Sequence, residues 1–173
     1  MFLLFHVAVP LLLFEFSFVN SRISVQRAPL GIGALLPDLF DKPLALLGLW
    51  GGRGFFHAPF FWLAVFIPVY WVFKNRAIFN GLVIGTLFHL ILDLPYIPLL
   101  WPFFNYDFMF PEDPFGFWLY ALTHNPLIIA TELGGLFVIA GIIMHHRLLW
   151  HWLRIKEFIF SPTIQAQKSR KDT

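Results

Sequence analysis

Apolar residues in this chain gather into long runs, and do not follow the three-and-four spacing of a helix with one wet face. Five runs approach the roughly 20 residues that cross a bilayer core: Phe2 to Val19, Ala28 to Trp50, Phe55 to Phe73, Ala77 to about Leu100, and Pro126 to Met144. The pattern predicts an all-α fold, a polytopic membrane helix bundle of about five spans. The second run is interrupted by Pro37, Asp38, Asp41, Lys42 and Pro43. Proline removes a helical donor, and lipid offers no partner to the freed groups, so this span reads as broken or re-entrant, facing protein or a wet cavity. The first run lacks a basic leader and a small-x-small cleavage pattern and contains Glu15, which reads as a retained span and not a signal peptide. Phe103 to Asn125 reads as an acidic loop, rich in Phe and Pro, at the interface. His145 to Phe160, with Trp150, Trp152, Arg154 and Lys156, reads as an amphipathic interfacial helix, and Ser161 to Thr173 as a disordered tail. The expected division is a transmembrane domain over 1–146 and an interfacial helix with cytoplasmic tail over 147–173.

Composition strengthens this picture. The chain is 58% hydrophobic and 13% charged, about half the roughly 25% charge of a soluble domain. Zero cysteine excludes a disulfide scaffold, a thiolate zinc site, an iron–sulfur cluster and a thiol nucleophile. Any metal must then be held by His, Asp and Glu. The net charge of +2 comes from basic residues beside the apolar runs, which suits membrane flanks, so no nucleic-acid partner is expected. Arg22, Arg27, Lys74, Arg76 and the residues from Arg147 onward fall on one face. By the positive-inside rule this predicts a multi-pass protein of the plasma membrane with its N-terminus outside and its C-terminus cytoplasmic. Arg53 alone falls on the outer face. Nucleotide-binding, zincin and serine-hydrolase motifs are missing, and Gly31-Ile32-Gly33 lacks a third glycine.

Ionisable residues at membrane depth are costly and are functional candidates by default. Here they are His6, Glu15, Asp38, Asp41, Lys42, His57, His89, Asp93, His124 and Glu132. With the threading above, His6, Asp38, Asp41, His57 and Asp93 converge on the outer half of the bilayer from four segments. His89 and Asp93 stand four apart, which puts an imidazole and a carboxylate on one helix face. That pair suits one metal ion, or a hydrogen bond locking two helices. Asp38 and Asp41 suit a site, or a loop dipping into the interface. His6 and His57, each taken alone, also suit structural or water-facing roles. His145, His146 and His151 lie among Arg and Trp and read as interfacial anchors; Glu132, beside Gly134-Gly135, suits a buried hydrogen bond between close helices.

Four pieces occur in order: Leu35-Leu36-Pro37-Asp38, Gly52-Arg53-Gly54-Phe55-Phe56-His57, Gly85-Thr86-Leu87-Phe88-His89-Leu90-Ile91-Leu92-Asp93, and Leu99-Leu100-Trp101-Pro102-Phe103. Over roughly residues 1–105 the chain resembles the YdjM-like family of small membrane-bound metal-dependent hydrolases. The resemblance implies metal ligation by His6, Asp38, His57, His89 and Asp93. Gly52, Phe56 and Phe40 depart from the family's pattern, and Asp41 stands one position beyond the place of its second Asp.

On this reading the cofactor is a divalent ion, zinc or manganese above all, with an open position for a water that it activates. Asp41 serves as general base or further ligand, and Arg53 as a clamp on phosphate. The expected reaction is hydrolysis of a phospholipid or other lipid-like phosphoester in the outer half of the bilayer. The alternatives are a metal-ion or proton transporter, for which Glu15 and Glu132 are the discriminating residues, and a non-catalytic membrane scaffold.

Overall fold

The computed structural model describes residues 3–49, 53–72, 74–106, 111–150 and 152–163, without the side chain of residue 150. Phe2, Trp50, Gly52, Phe73, His151 and the tail beyond Thr163, all invoked above, lie outside these residues, as do residues 107–110 of the expected acidic loop. The described residues are helical throughout, with no strand: α1 (Leu3–Leu13), α2 (Ser17–Asn20), α3 (Arg27–Gly33), α4 (Leu36–Leu46), α5 (Pro59–Val72), α6 (Arg76–Leu92), α7 (Pro114–His124), α8 (Pro126–His145) and α9 (Trp152–Phe160). Short 3-10 turns cover Phe55–His57 and Leu148–Trp150.

Helix starts follow local chemistry. Asn75 and Asn125 cap α6 and α8, each accepting from two backbone N–H groups of the first turn, at 3.0 and 3.3 Å and at 3.1 and 3.2 Å. Asp113 caps α7 by accepting from Gly116 N at 2.9 Å, with Pro114 opening the helix. The second half of the segment expected to be an interfacial loop is therefore helix.

The five expected crossings are not what the structure supports. Among the described residues only α8, 20 residues long, is long and apolar enough to cross a membrane. At 1.5 Å per residue α8 spans about 30 Å, whereas α1, α5 and α6 reach only about 17–26 Å. The first run stops at Leu13 because the chain turns over Phe14–Phe16, burying Phe14 and sending Glu15 to Arg27 and His146. The second run is two short helices, α3 and α4, broken at Ala34-Leu35. The fourth ends at Asp93 and gives way to turns. Between α8 and α9, Arg147 takes a left-handed backbone (φ 52°), so α9 is separate from α8.

Two close contacts set the frame. α6 lies against α3 so tightly that a Cβ on Gly85 would stand 2.2 Å from the Leu30 carbonyl oxygen. Likewise α8 receives α1 at Gly135, where a Cβ would lie 2.7 Å from the backbone at Leu4 and Phe5. Glu132, one turn earlier, accepts from Leu4 N at 3.0 Å and Phe5 N at 3.3 Å, satisfying donors that the first turn of α1 leaves without helical partners. Replacing Glu132 by Ala is expected to cost about 1 kcal/mol, or roughly 2–4 °C of Tm in a thermal scan in detergent.

The distribution of side chains inverts that of a water-soluble protein. Trp71 is 81% exposed and Phe137 73%, while His6, Asp38, Asp41, His57, His89 and Asp93 are buried.

Candidate metal centre

The site is built on the C-terminal end of α6. Gly85 lets α6 approach the end of α3, and there Thr86 Oγ1 donates to the Gly33 carbonyl at 3.1 Å. One turn further on, His89 Nδ1 donates to the Ala34 carbonyl at 2.7 Å. A carbonyl only accepts, so Nδ1 carries the proton and Nε2 is bare. Ala34 sits at the break between α3 and α4, where its carbonyl meets an imidazole from another helix.

His57 reaches the same point from the 3-10 turn. Its Nδ1 is hydrogen-bonded to Asp41 Oδ2, which also accepts from Gly54 N at 3.0 Å. An ionised carboxylate accepts only, so Nδ1 of His57 carries a proton, and in the neutral ring Nε2 is the unprotonated nitrogen. The Nε2 atoms of His57 and His89 stand 3.2 Å apart. Asp38 Oδ1 lies 3.5 Å from His57 Nε2 and 4.0 Å from His89 Nε2. Asp93 Oδ2 lies 3.7 and 3.9 Å from the same two atoms. His6, from α1, places Nε2 at 3.2 Å from Asp93 Oδ1 and its ring centroid 4.2 Å from that of His89. His6, Asp41, His57 and His89 have no exposed surface, and Asp38 and Asp93 retain 6% and 4%.

Two overlapping groups result, His6 with His89 and Asp93, and Asp38 with His57 and His89, each with its ligand atoms within 4.8 Å of one another. These buried His and Asp clusters are able to hold a metal ion. His89 belongs to both.

Each cluster carboxylate also meets a cation. Lys42 Nζ is 2.5 Å from Asp38 Oδ2, and Arg53 Nε is 3.3 Å from Asp93 Oδ2. These side chains are 24% and 32% exposed, so they lie where the cluster opens outward. Lys42 also stands 5.8 Å from the ring centre of Trp118, and Arg53 5.6 Å from that of Tyr96.

All five ligand candidates from the sequence are thus brought together, and Arg53 stands beside them. Asp41 is placed otherwise than expected. Its carboxylate stands behind His57, on the Nδ1 side, and belongs to neither ligand group, so a base or ligand role does not follow from its position. The remaining polar candidates lie elsewhere. Glu132 caps α1. Glu15 accepts from Arg27 at 3.0 Å and is hydrogen-bonded to His146 Nε2 at 2.7 Å. His124 stacks on Tyr120 with ring centres 4.2 Å apart, and His145 is exposed.

Sequence reasoning gave no role to the Ala34 carbonyl, Thr86 or Lys42. Two signals pointed to them: Gly81-x-x-x-Gly85, the spacing of a close helix contact one turn before His89, and Lys42 four residues after Asp38. Comparison with family models, with curated proteins and with solved structures finds no match for this chain.

Proposed function

We propose that this chain is a membrane-embedded metal-dependent hydrolase of the YdjM-like kind, with His6, Asp38, His57, His89 and Asp93 holding a divalent ion. One observation carries the reading. Two imidazole nitrogens, each on a ring whose other nitrogen donates away from the cluster, stand 3.2 Å apart with two carboxylate oxygens within 4.0 Å of both. With both rings neutral these four atoms are crowded acceptors, and the Arg53 guanidinium reaches only Asp93 Oδ2 among them. A proton between the nitrogens relieves one contact; a divalent cation relieves all of them.

The donor set fits such an ion. Mixed imidazole and carboxylate ligation suits zinc or manganese better than magnesium, which prefers oxygen and retained water. The ion's contribution would be to lower the pKa of a water it binds from 15.7 to about 7, supplying a nucleophile at neutral pH. The chain's own residues supply the rest. Arg53, half-open beside Asp93, offers its guanidinium fork to the anionic oxygens of a phosphoester. Asp38, Asp41 and Asp93 outnumber Lys42 and Arg53 by one, so a divalent ion turns the local balance to one positive charge, which favours an anionic substrate.

The lipid setting rests on the apolar exterior. α8 is the candidate crossing helix, and the shorter apolar helices α1, α5 and α6 would lie in the bilayer around the buried polar cluster. A substrate with an apolar tail, a phospholipid or another lipid-like phosphoester, would then reach the cluster laterally. The basic residues from Arg147 onward, which follow α8, favour a cytoplasmic C-terminus at the plasma membrane by the positive-inside rule. Transport receives no support from Glu15 and Glu132, which are engaged in ion pairing and capping away from the cluster.

Metal analysis of the purified protein tests the proposal. About one divalent ion per chain is expected, lost in both Asp38→Ala and Asp93→Ala while circular dichroism still reports a folded helical protein. Failure of the wild-type chain to bind zinc or manganese after reconstitution would overturn the reading.

A further inference from the structure

We infer that Asp41 is a positioning residue: its buried carboxylate holds the proton of neutral His57 on Nδ1, so that Nε2 faces the cluster as an acceptor, and ties the turn that follows Arg53 to α4. The inference rests on the metal-site reading for its purpose, but on the geometry for its content. Asp41 Oδ2 takes two donors at once, the Nδ1–H of His57 and the backbone N–H of Gly54. Those donors bracket the segment Gly54 to His57, which Arg53 immediately precedes. A single carboxylate from α4 therefore holds both ends of the turn that carries the imidazole and follows the guanidinium. Asp41 and His57 are both fully buried, so no water competes for the bond.

The position on α4 explains the division of labour between its two carboxylates. Asp38 and Asp41 are three apart and share a face. Asp38 reaches the Nε2 side of His57 at 3.5 Å, while Asp41 reaches Nδ1. One helix thus grips the same ring from both of its nitrogens. A carboxylate on the far nitrogen of a ligating histidine fixes the ring's orientation and raises its basicity, and its loss typically costs 10–100-fold in metal affinity. Histidine has two neutral tautomers, and among the described residues no other hydrogen bond at Nδ1 selects between them.

Two readouts test this. The first needs no metal: nitrogen-15 NMR of imidazole-labelled, metal-free protein at alkaline pH, with His57 assigned by its disappearance in His57→Gln. The expected result is a single neutral tautomer protonated at Nδ1 in the wild type, and a mixture in Asp41→Ala. The second is zinc affinity by competition with a chromophoric chelator. Asp41→Ala is expected to weaken binding by about 10–100-fold, and Asp41→Asn by less, since its amide oxygen still accepts from both donors. A wild-type His57 protonated at Nε2 would overturn the inference. So would zinc affinity in Asp41→Ala unchanged within about twofold. Should the wild type bind no metal, the proposed hydrolase falls, while the tautomer measurement still decides the role of Asp41. If Asp41→Ala fails to fold, Asp41→Asn carries both comparisons: the retained tautomer with partial affinity supports the inference, and a mixed tautomer refutes it.

Discussion

Replacing His89 by Ala is expected to weaken zinc or manganese binding by more than about a hundredfold, beyond the 10–100-fold typical of residues that only support a ligand. The reason lies in the sharing of one residue. His89 belongs to both three-residue groups, so its loss breaks each of them at once. The ligands that remain lack the imidazole that both groups share, and a site short of its central ligand holds a divalent ion far less well. The substitution also strands the Ala34 carbonyl, which His89 Nδ1 now satisfies at 2.7 Å. That stranded acceptor should add about 1–3 kcal/mol of destabilisation. Isothermal titration with zinc and a thermal scan of the metal-free protein separate the two effects. An affinity within tenfold of wild type would show that the ion is held elsewhere.

Gly85→Ala should do comparable harm without touching any ligand. The added Cβ would stand 2.2 Å from the Leu30 carbonyl oxygen and 2.6 Å from Ala34 N, where ordinary contact begins at 3.4 Å. Both neighbours are backbone and cannot rotate away, so α3 and α6 must separate by about 1 Å or more. Such overpacking typically costs 1–3 kcal/mol, and the rigid neighbours place this site at the upper end. The separation also lengthens the His89 to Ala34 bond one turn further on. Reduced Tm and reduced metal affinity should therefore appear together in Gly85→Ala. A variant with lowered Tm but wild-type zinc affinity would show that the close contact stabilises the fold without placing His89.

These two expectations also mark what was legible in the sequence. The pair His89 and Asp93 could be read from spacing alone, because four residues along a helix is one turn whatever the surroundings. α8 could be read because its run is unbroken and its Asn-Pro start is a local signal. α7 was missed for the opposite reason: its Phe and Pro content suggested a loop, although Asp113-Pro114 is itself a helix start. The end of α1 at Leu13 was out of reach, since it depends on Glu15 finding Arg27 and on His146, 131 residues away. The role of Asp41 was equally hidden. Which ring nitrogen of His57 it meets depends on the rotation of α4 about its axis, and no local pattern records that.

The ligand candidates are scattered over the chain, with His57 and His89 32 residues apart and His6 and Asp93 near the two ends of the same half. An ion gripping His6 and Asp93 would close a loop of roughly 90 residues, and in the chain-entropy description a cross-link over that length removes about 4–5 kcal/mol of freedom from the unfolded chain. This chain has no cysteine with which to make such a link covalently. Its buried histidines and aspartates would then act as its one reversible fastener, so that losing the metal would loosen the architecture as well as silence the chemistry.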